Sequence, residues 1–220
     1  MKNSIKYYLI GFLINCILIF NINAFEQFEF NVTEIEILEN GNKIKGLDRG
    51  KITTNDGSVI IADTFLYNKT LNQLTANGNI KIQDNLTKYT IFAEYIDYFK
   101  NEEKIKAKGK VKIIDNQKQT ITSDQIIFDK KINLINAKGN VKLENKINKY
   151  TIFAEDISYF KNKQKILTKG NSRAIIEKKY EIFSEDIEFN IIEKKLRSDK
   201  KTRIINDKTQ IINLDRFYFS

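Results

Sequence analysis

Residues 88–113 read KYTIFAEYIDYFKNEEKIKAKGKVKI, and the chain writes this stretch repeatedly. Its glycine half, AKGKVKI at 107–113, returns as ANGNIKI at 76–82, as AKGNVKL at 137–143 and, weakened, as TKGNSRAI at 168–175. Gly78, Gly109, Gly139 and Gly170 lie 31, 30 and 31 residues apart, and a carboxylate stands 15 residues before each: Asp63, Glu94, Asp124 and Glu155. Glu185 continues the series with Lys200 where the next glycine would fall, and Asp215 opens a sixth copy. Self-similarity at such a period marks a stacked array, in which each unit buries its apolar face only against its neighbours.

Each repeat divides into two strands. In the glycine strand, Ile105, Ala107, Gly109, Val111 and Ile113 alternate with Lys104, Lys106, Lys108, Lys110 and Lys112. One face is therefore buried and the other wet, as in an antiparallel sheet. A glycine on the apolar face of a strand marks a bend or a close backbone approach. In the carboxylate strand the alternation changes phase: Ile91 and Ala93 share one parity, Ile96 and Tyr98 the other. The same change occurs from Ile121 to Ile126 and Phe128, and from Ile152 to Ile157 and Tyr159. A regular strand cannot turn both sets inward. An extra residue or sharp bend at the carboxylate restores a common face. The expected fold is thus all-β: a bent antiparallel sheet curled over an apolar interior, built from repeats of about 30 residues. Asp84-Asn85, Asp115-Asn116 and Asn101-Glu102-Glu103 read as the turns between strands.

Before the repeats, residues 25–50 alternate as Phe28, Phe30 and Val32, then Ile35 and Ile37, and end at Asn40-Gly41, which predicts a half-buried lead-in or capping strand. Residues 1–24 combine Lys2 and Lys6, an apolar run from Tyr7 to Ile22, and Ala24. These are the parts of a signal peptide, and the run is short for a bilayer-spanning helix. The sequence is therefore divided as leader 1–24, lead-in 25–50 and repeats 51–220.

With 15 Phe, 10 Tyr and 41% hydrophobic residues the chain is a folded one. The net charge of +9 falls to +7 without the two leader lysines, and the remaining lysines are spread along the strands rather than gathered in a run. Such a surface suits a solvated sheet face, anionic lipid or phosphorylated sugar. Cys16, the single cysteine, lies in the expected leader, and there is no His. That excludes the usual zinc and nucleophile–base arrangements, and no cofactor or catalytic residue is expected. The recurring carboxylates read as structural pairing at the bend. The recurring aromatics Tyr67, Tyr98, Phe128, Tyr159, Phe189 and Phe219, each four residues after an acid, read as core rather than a base-stacking platform. A chain exported past the inner membrane also argues against nucleic acid.

The pattern A-x-G-x-V-x-I, a spacer, then I-x-A-(D/E)-x-I-x-(Y/F) resembles the repeat of the OstA-like family of lipopolysaccharide-transport proteins. It is carried by Ala107–Ile113, Ala137–Leu143, Ile91–Tyr98 and Ile152–Tyr159. The resemblance covers roughly 51–220. It implies an open β-jellyroll (a "β-taco") in the periplasm whose interior holds the acyl chains of lipid A. It also implies edge-strand pairing with other jellyrolls of the transport bridge, and outer-membrane assembly partners. Within the family the opening stretch is most similar to the N-terminal domains of LptD-type proteins, which are outer-membrane associated. The stop at Phe219-Ser220, inside the sixth copy, then corresponds to a piece of such a protein, although many LptD-type proteins carry cysteines here that this chain lacks. A free-standing LptA-like bridge protein is the alternative, and a structural or adhesive β-solenoid with a packed core is the alternative of another class. The inward set that would line a lipid trough is Ile91, Ala93, Ile96, Tyr98, Ile105, Val111, Ile113, Ile121, Ile126, Phe128, Val141, Ile152, Ile157 and Tyr159. Periodicity alone leaves open whether that interior is a slot or a filled core.

Overall fold

Because β-branched and aromatic residues recur in every repeat, extended backbone is favoured along nearly the whole chain. The computed structural model describes residues 28–207 and 210–219; the expected leader and residues 25–27 of the lead-in lie outside them. Among the described residues twenty strands form one antiparallel sheet. The chain opens with β1 (Phe28–Asn31), β2 (Glu34–Leu38), β3 (Lys43–Leu47), β4 (Gly50–Thr54), β5 (Val59–Ala62) and β6 (Thr64–Asn68). Six long strands follow: β7 (Gln73–Gln83), β8 (Thr90–Phe99), β9 (Lys104–Ile114), β10 (Thr120–Asp129), β11 (Leu134–Asn145) and β12 (Tyr150–Phe160). Short strands close the chain: β13 (Lys165–Lys169), β14 (Ser172–Ile176), β15 (Tyr180–Ser184), β16 (Glu188–Asn190), β17 (Lys195–Ser198), β18 (Thr202–Asn206), β19 (Ile211–Leu214) and β20 (Phe217–Phe219).

Each long strand bends once, so that its two arms belong to two facing walls. The first wall runs β1–β4–β5, through one arm of each long strand, to β14–β15–β18–β19. The second runs β2–β3–β6, through the other arms, to β13–β16–β17–β20. The bends form a closed corner along one side, and the turns between strands form a mouth along the other.

The corner explains the 15-residue spacing. In β8 the buried positions jump from Ala93 to Ile96; in β9 they jump from Ala107 to Val111. Between matched pairs Phe92↔Lys112 and Tyr95↔Lys108 the glycine strand therefore carries one residue more than its neighbour. The extra residue lies on the glycine strand, not on the carboxylate strand where the change of phase had suggested it. Gly109 at φ +80 and Lys110 at φ +47 take it up in the left-handed region. The carboxylate opposite folds over the glycine, so that a Cβ on Gly109 would stand 2.7 Å from Glu94. The next residue then reaches back: Asn79 Nδ2 donates to Asp63 at 2.7 Å, Asn140 Nδ2 to Asp124 at 2.9 Å and Asn171 Nδ2 to Glu155 at 2.7 Å. Lys110 pairs with Glu94 at 3.5 Å. Gly109→Ala is expected to cost about 1–3 kcal/mol through strained backbone and the displaced Glu94. Glu94→Ala, which removes only a solvated pair, should cost about 0.2–1 kcal/mol. Urea unfolding midpoints of the two variants check the order.

At the ends of the array the walls run out of neighbours. Among the described residues β2 pairs only with β3 and β19 only with β18. Ile37 is consequently 71% exposed, and Ile35, Ile211, Ile212 and Leu214 are exposed with it. The strand expected to be half-buried at Ile35 and Ile37 is therefore exposed, because no other described strand covers that face.

Candidate functional site

The space between the walls receives every inward-facing side chain. All fourteen residues of the expected lining point into it, and Ala93, the most exposed of them, is only 7% exposed. These side chains belong to one buried cluster that runs from Phe28 to Phe217. The walls touch through aromatic rungs. Phe28 meets Tyr67 edge-on at 4.8 Å between ring centres, Tyr89 meets Phe128 at 5.2 Å, Tyr150 meets Phe189 at 5.0 Å and Tyr180 meets Phe219 at 5.2 Å. The aromatics four residues after each acid thus lie inside, on the second wall. Their partners on the first wall, Tyr89, Tyr150 and Tyr180, were not singled out from the sequence. Each stands just before or at the head of its strand, two residues ahead of the first inward isoleucine, and that common position was the available signal.

The mouth is held by charge. Asp84 and Asp115 sit in turns of the first wall, where each uses one carboxylate oxygen locally. Asp84 accepts from the Thr87 amide and hydroxyl at 2.7 Å, and Asp115 from the Gln117 and Gln119 amides at 2.8 and 2.9 Å. The second oxygen of each faces across the mouth to a lysine in a turn of the second wall. Asp84 pairs with Lys130, and Asp115 with Lys161 at 3.5 Å; Asp56 joins Lys130 at 3.5 Å. Lys130 and Asp84 are almost wholly buried, with side chains 3% and 1% exposed. The ammonium groups also lie over interior rings, Lys161 at 4.3 Å from the centre of Tyr89 and Lys130 at 5.5 Å from that of Tyr98. In the sequence these aspartates mark turns, and the two lysines are among those spread along the repeats.

Burial alone would lower the Lys130 ammonium, but Asp84, Tyr98 and Asp56 outweigh it and hold the group above its ordinary value. Burial alone would raise Asp56, but Thr54, the Ser58 amide and Lys130 hold it well below the carboxylate range. A depressed carboxylate stabilises the fold above its unfolded value and ceases to as pH falls through its folded one. A raised lysine stabilises it below its unfolded value and ceases to as pH rises through its folded one. Thermal melting temperatures should therefore be level through the neutral range and fall below about pH 4 and above about pH 10. Lys130→Met should flatten the alkaline limb.

Among the described residues no three His, Cys, Asp or Glu side chains gather as a metal site, and no helix is long and apolar enough to cross a membrane. Four of the recurring acids, Asp63, Glu94, Asp124 and Glu155, are occupied in the corner clasps. No protein-family model matches the chain, and neither does any curated protein sequence. Among solved structures it is similar to LptH, the LptA-homologous periplasmic component of the lipopolysaccharide transport device of Pseudomonas aeruginosa. That match has 11% identity over 60% of this chain and 97% of that one, with a TM-score of 0.48. A second match, the TCP10 domain of Danio rerio CPAP bound to a STIL peptide, has 7% identity over 79% and 99% of the two chains and a TM-score of 0.15.

Proposed function

We propose that the chain is a non-catalytic periplasmic carrier of lipopolysaccharide, the N-terminal domain of an LptD-type protein or a piece of one, delivering its cargo toward the outer membrane. The observation that carries this is the bent repeat. The residues that match the OstA-like pattern are those that make the corner and turn both arms of each strand toward one apolar interior. Acyl chains in that interior would gain about 0.8 kcal/mol per buried methylene, less the cost of ordering them. The open edges at β2 and β19, with their exposed aliphatics, suit strand pairing with neighbouring jellyrolls of the transport bridge and with outer-membrane assembly partners. A free-standing LptA-like protein would use the same edges.

One observation favours a second reading, a structural β-solenoid: the fourteen inward side chains, none more than 7% exposed, lie in one buried cluster of the protein's own residues. Photo-reactive residues at Ile96, Ile126 and Ile157, with outward Lys110 and Lys142 as controls, separate the two. Crosslinks to lipopolysaccharide confined to the inward set support transport. A folded sample that gives no inward crosslinks overturns it in favour of the solenoid.

A further inference from the structure

The mouth is built in rungs, each a turn position of the second wall facing one of the first that precedes it by a constant stretch of sequence. Lys130 faces Asp84 and Lys161 faces Asp115; one repeat on, the same positions hold Ile191 and Asn145. The stacking of the second-wall turns continues unbroken there. The Lys161 amide donates to Asn133 O at 3.2 Å, and the Ile191 amide donates to Gln164 O at 2.9 Å. The second wall therefore keeps at the third rung the stacking it has at the first two, with no lysine or aspartate there to pair. At that rung a cleft of 270 Å³ enters between the walls. It is lined by Tyr150, Ile176, Phe189, Ile191 and Leu196, and its exposed lining residues include two cations, Lys149 and Lys194, and one carboxylate, Glu177. Phe189 and Leu196 are themselves part of the buried cluster, so the floor of the cleft is the edge of the interior's own packing.

We propose that this cleft admits an amphiphile with an apolar chain and an anionic head, and that the Lys130–Asp84 and Lys161–Asp115 pairs latch the rest of the mouth shut. The chain of the guest lies against Phe189 and Leu196, and its head meets Lys149 and Lys194. Asn145 is free of the latching role because its amide donates to Gln119 Oε1 at 3.4 Å, while its carbonyl oxygen accepts from the Asn148 amide at 2.8 Å. The proposal rests on the transport reading only for the identity of the natural guest.

The test uses dansyl-undecanoic acid, a fluorescent acyl chain with a carboxylate head. The wild-type protein should bind it saturably with a blue shift in emission. Ile191→Lys with Asn145→Asp copies the latch into the third rung and should weaken binding at least tenfold. Lys161→Met with Asp115→Asn removes the neighbouring latch and should strengthen binding severalfold. Ile176→Trp fills the cleft without any change of charge, and should weaken binding even if the copied rung fails to fold. Absence of binding to wild type, or binding as tight as wild type by a folded copied-rung or filled-cleft variant, overturns the proposal. Because lipopolysaccharide takes no part, a failure of the Ile126 crosslinks would leave this result standing. Crosslinks without probe binding would sink the cleft and spare the transport reading.

Discussion

Phe128→Ala should destabilise the protein by about 3–5 kcal/mol. Phe128 has no exposed surface, and it lies near the middle of the array, where both walls are built from long strands. Its ring fills the gap to Tyr89 on the opposite wall. Truncation removes the transfer energy of the ring and leaves a cavity that the flanking strands cannot collapse to fill, because the corner clasps on β10 and β11 fix the separation of the walls. The urea unfolding midpoint measures the loss. A drop below about 1 kcal/mol would mean that the walls can relax inward and that the interior is soft enough to admit guests without help from the mouth. Phe219→Ala is the internal comparison. Its partner Tyr180 stands at the end of the array, where Phe219 is only partly buried, and the cost there should be smaller.

Lys130→Met is the other change with a large expected effect. Removing the ammonium leaves the Asp84 carboxylate buried without its counter-charge, a situation that costs about 3–5 kcal/mol. Adding Asp84→Asn should recover most of this. The asparagine oxygen can still accept from the Thr87 amide and hydroxyl, and the buried charge is gone. Asp56 loses Lys130 in both variants but still accepts from the Thr54 hydroxyl and the Ser58 amide. A double-mutant cycle on unfolding free energies provides the check. If the double variant is as unstable as the single one, the loss lies in the ammonium's place over the Tyr98 ring rather than in the unpaired Asp84. Lys110→Met, which breaks an exposed pair at the corner, should change stability by less than about 1 kcal/mol.

Much of this architecture is legible along the chain, and the parts that are not share a cause. The clasp between Gly109 and Glu94 could be read as a spacing because both residues belong to one hairpin, with the turn at 100–103 setting them opposite each other. The inward set from Ile91 to Tyr159 could be read because alternation reports which side of a pleat a residue occupies. The phase change announced a bend but not the strand that carries the extra residue. That depends on the register of two strands against each other, and a single strand does not contain it. The exposure of Ile35 and Ile37 was hidden for a related reason: alternation marks an apolar face but does not say whether another strand will cover it.

The latch and the cleft lay further out of reach. Asp84 and Asp115 look like ordinary turn residues, and that is what they are on their own side. Lys130 and Lys161 look like any of the lysines on the wet face. Nothing local joins a turn of the first wall to a turn of the second, because they meet only when the sheet has folded along its corner and the aromatic rungs have set its closing distance. The sequence by itself determined the strands, their period, their inward faces and the line of the bend, since all of these follow from backbone geometry and from neighbours within one repeat. The tertiary structure decided that the walls close on each other, which charges are thereby buried together, and where one rung is left without its pair. Those contacts depend on register and corner angle accumulated over several strands, quantities that no single stretch of the chain specifies.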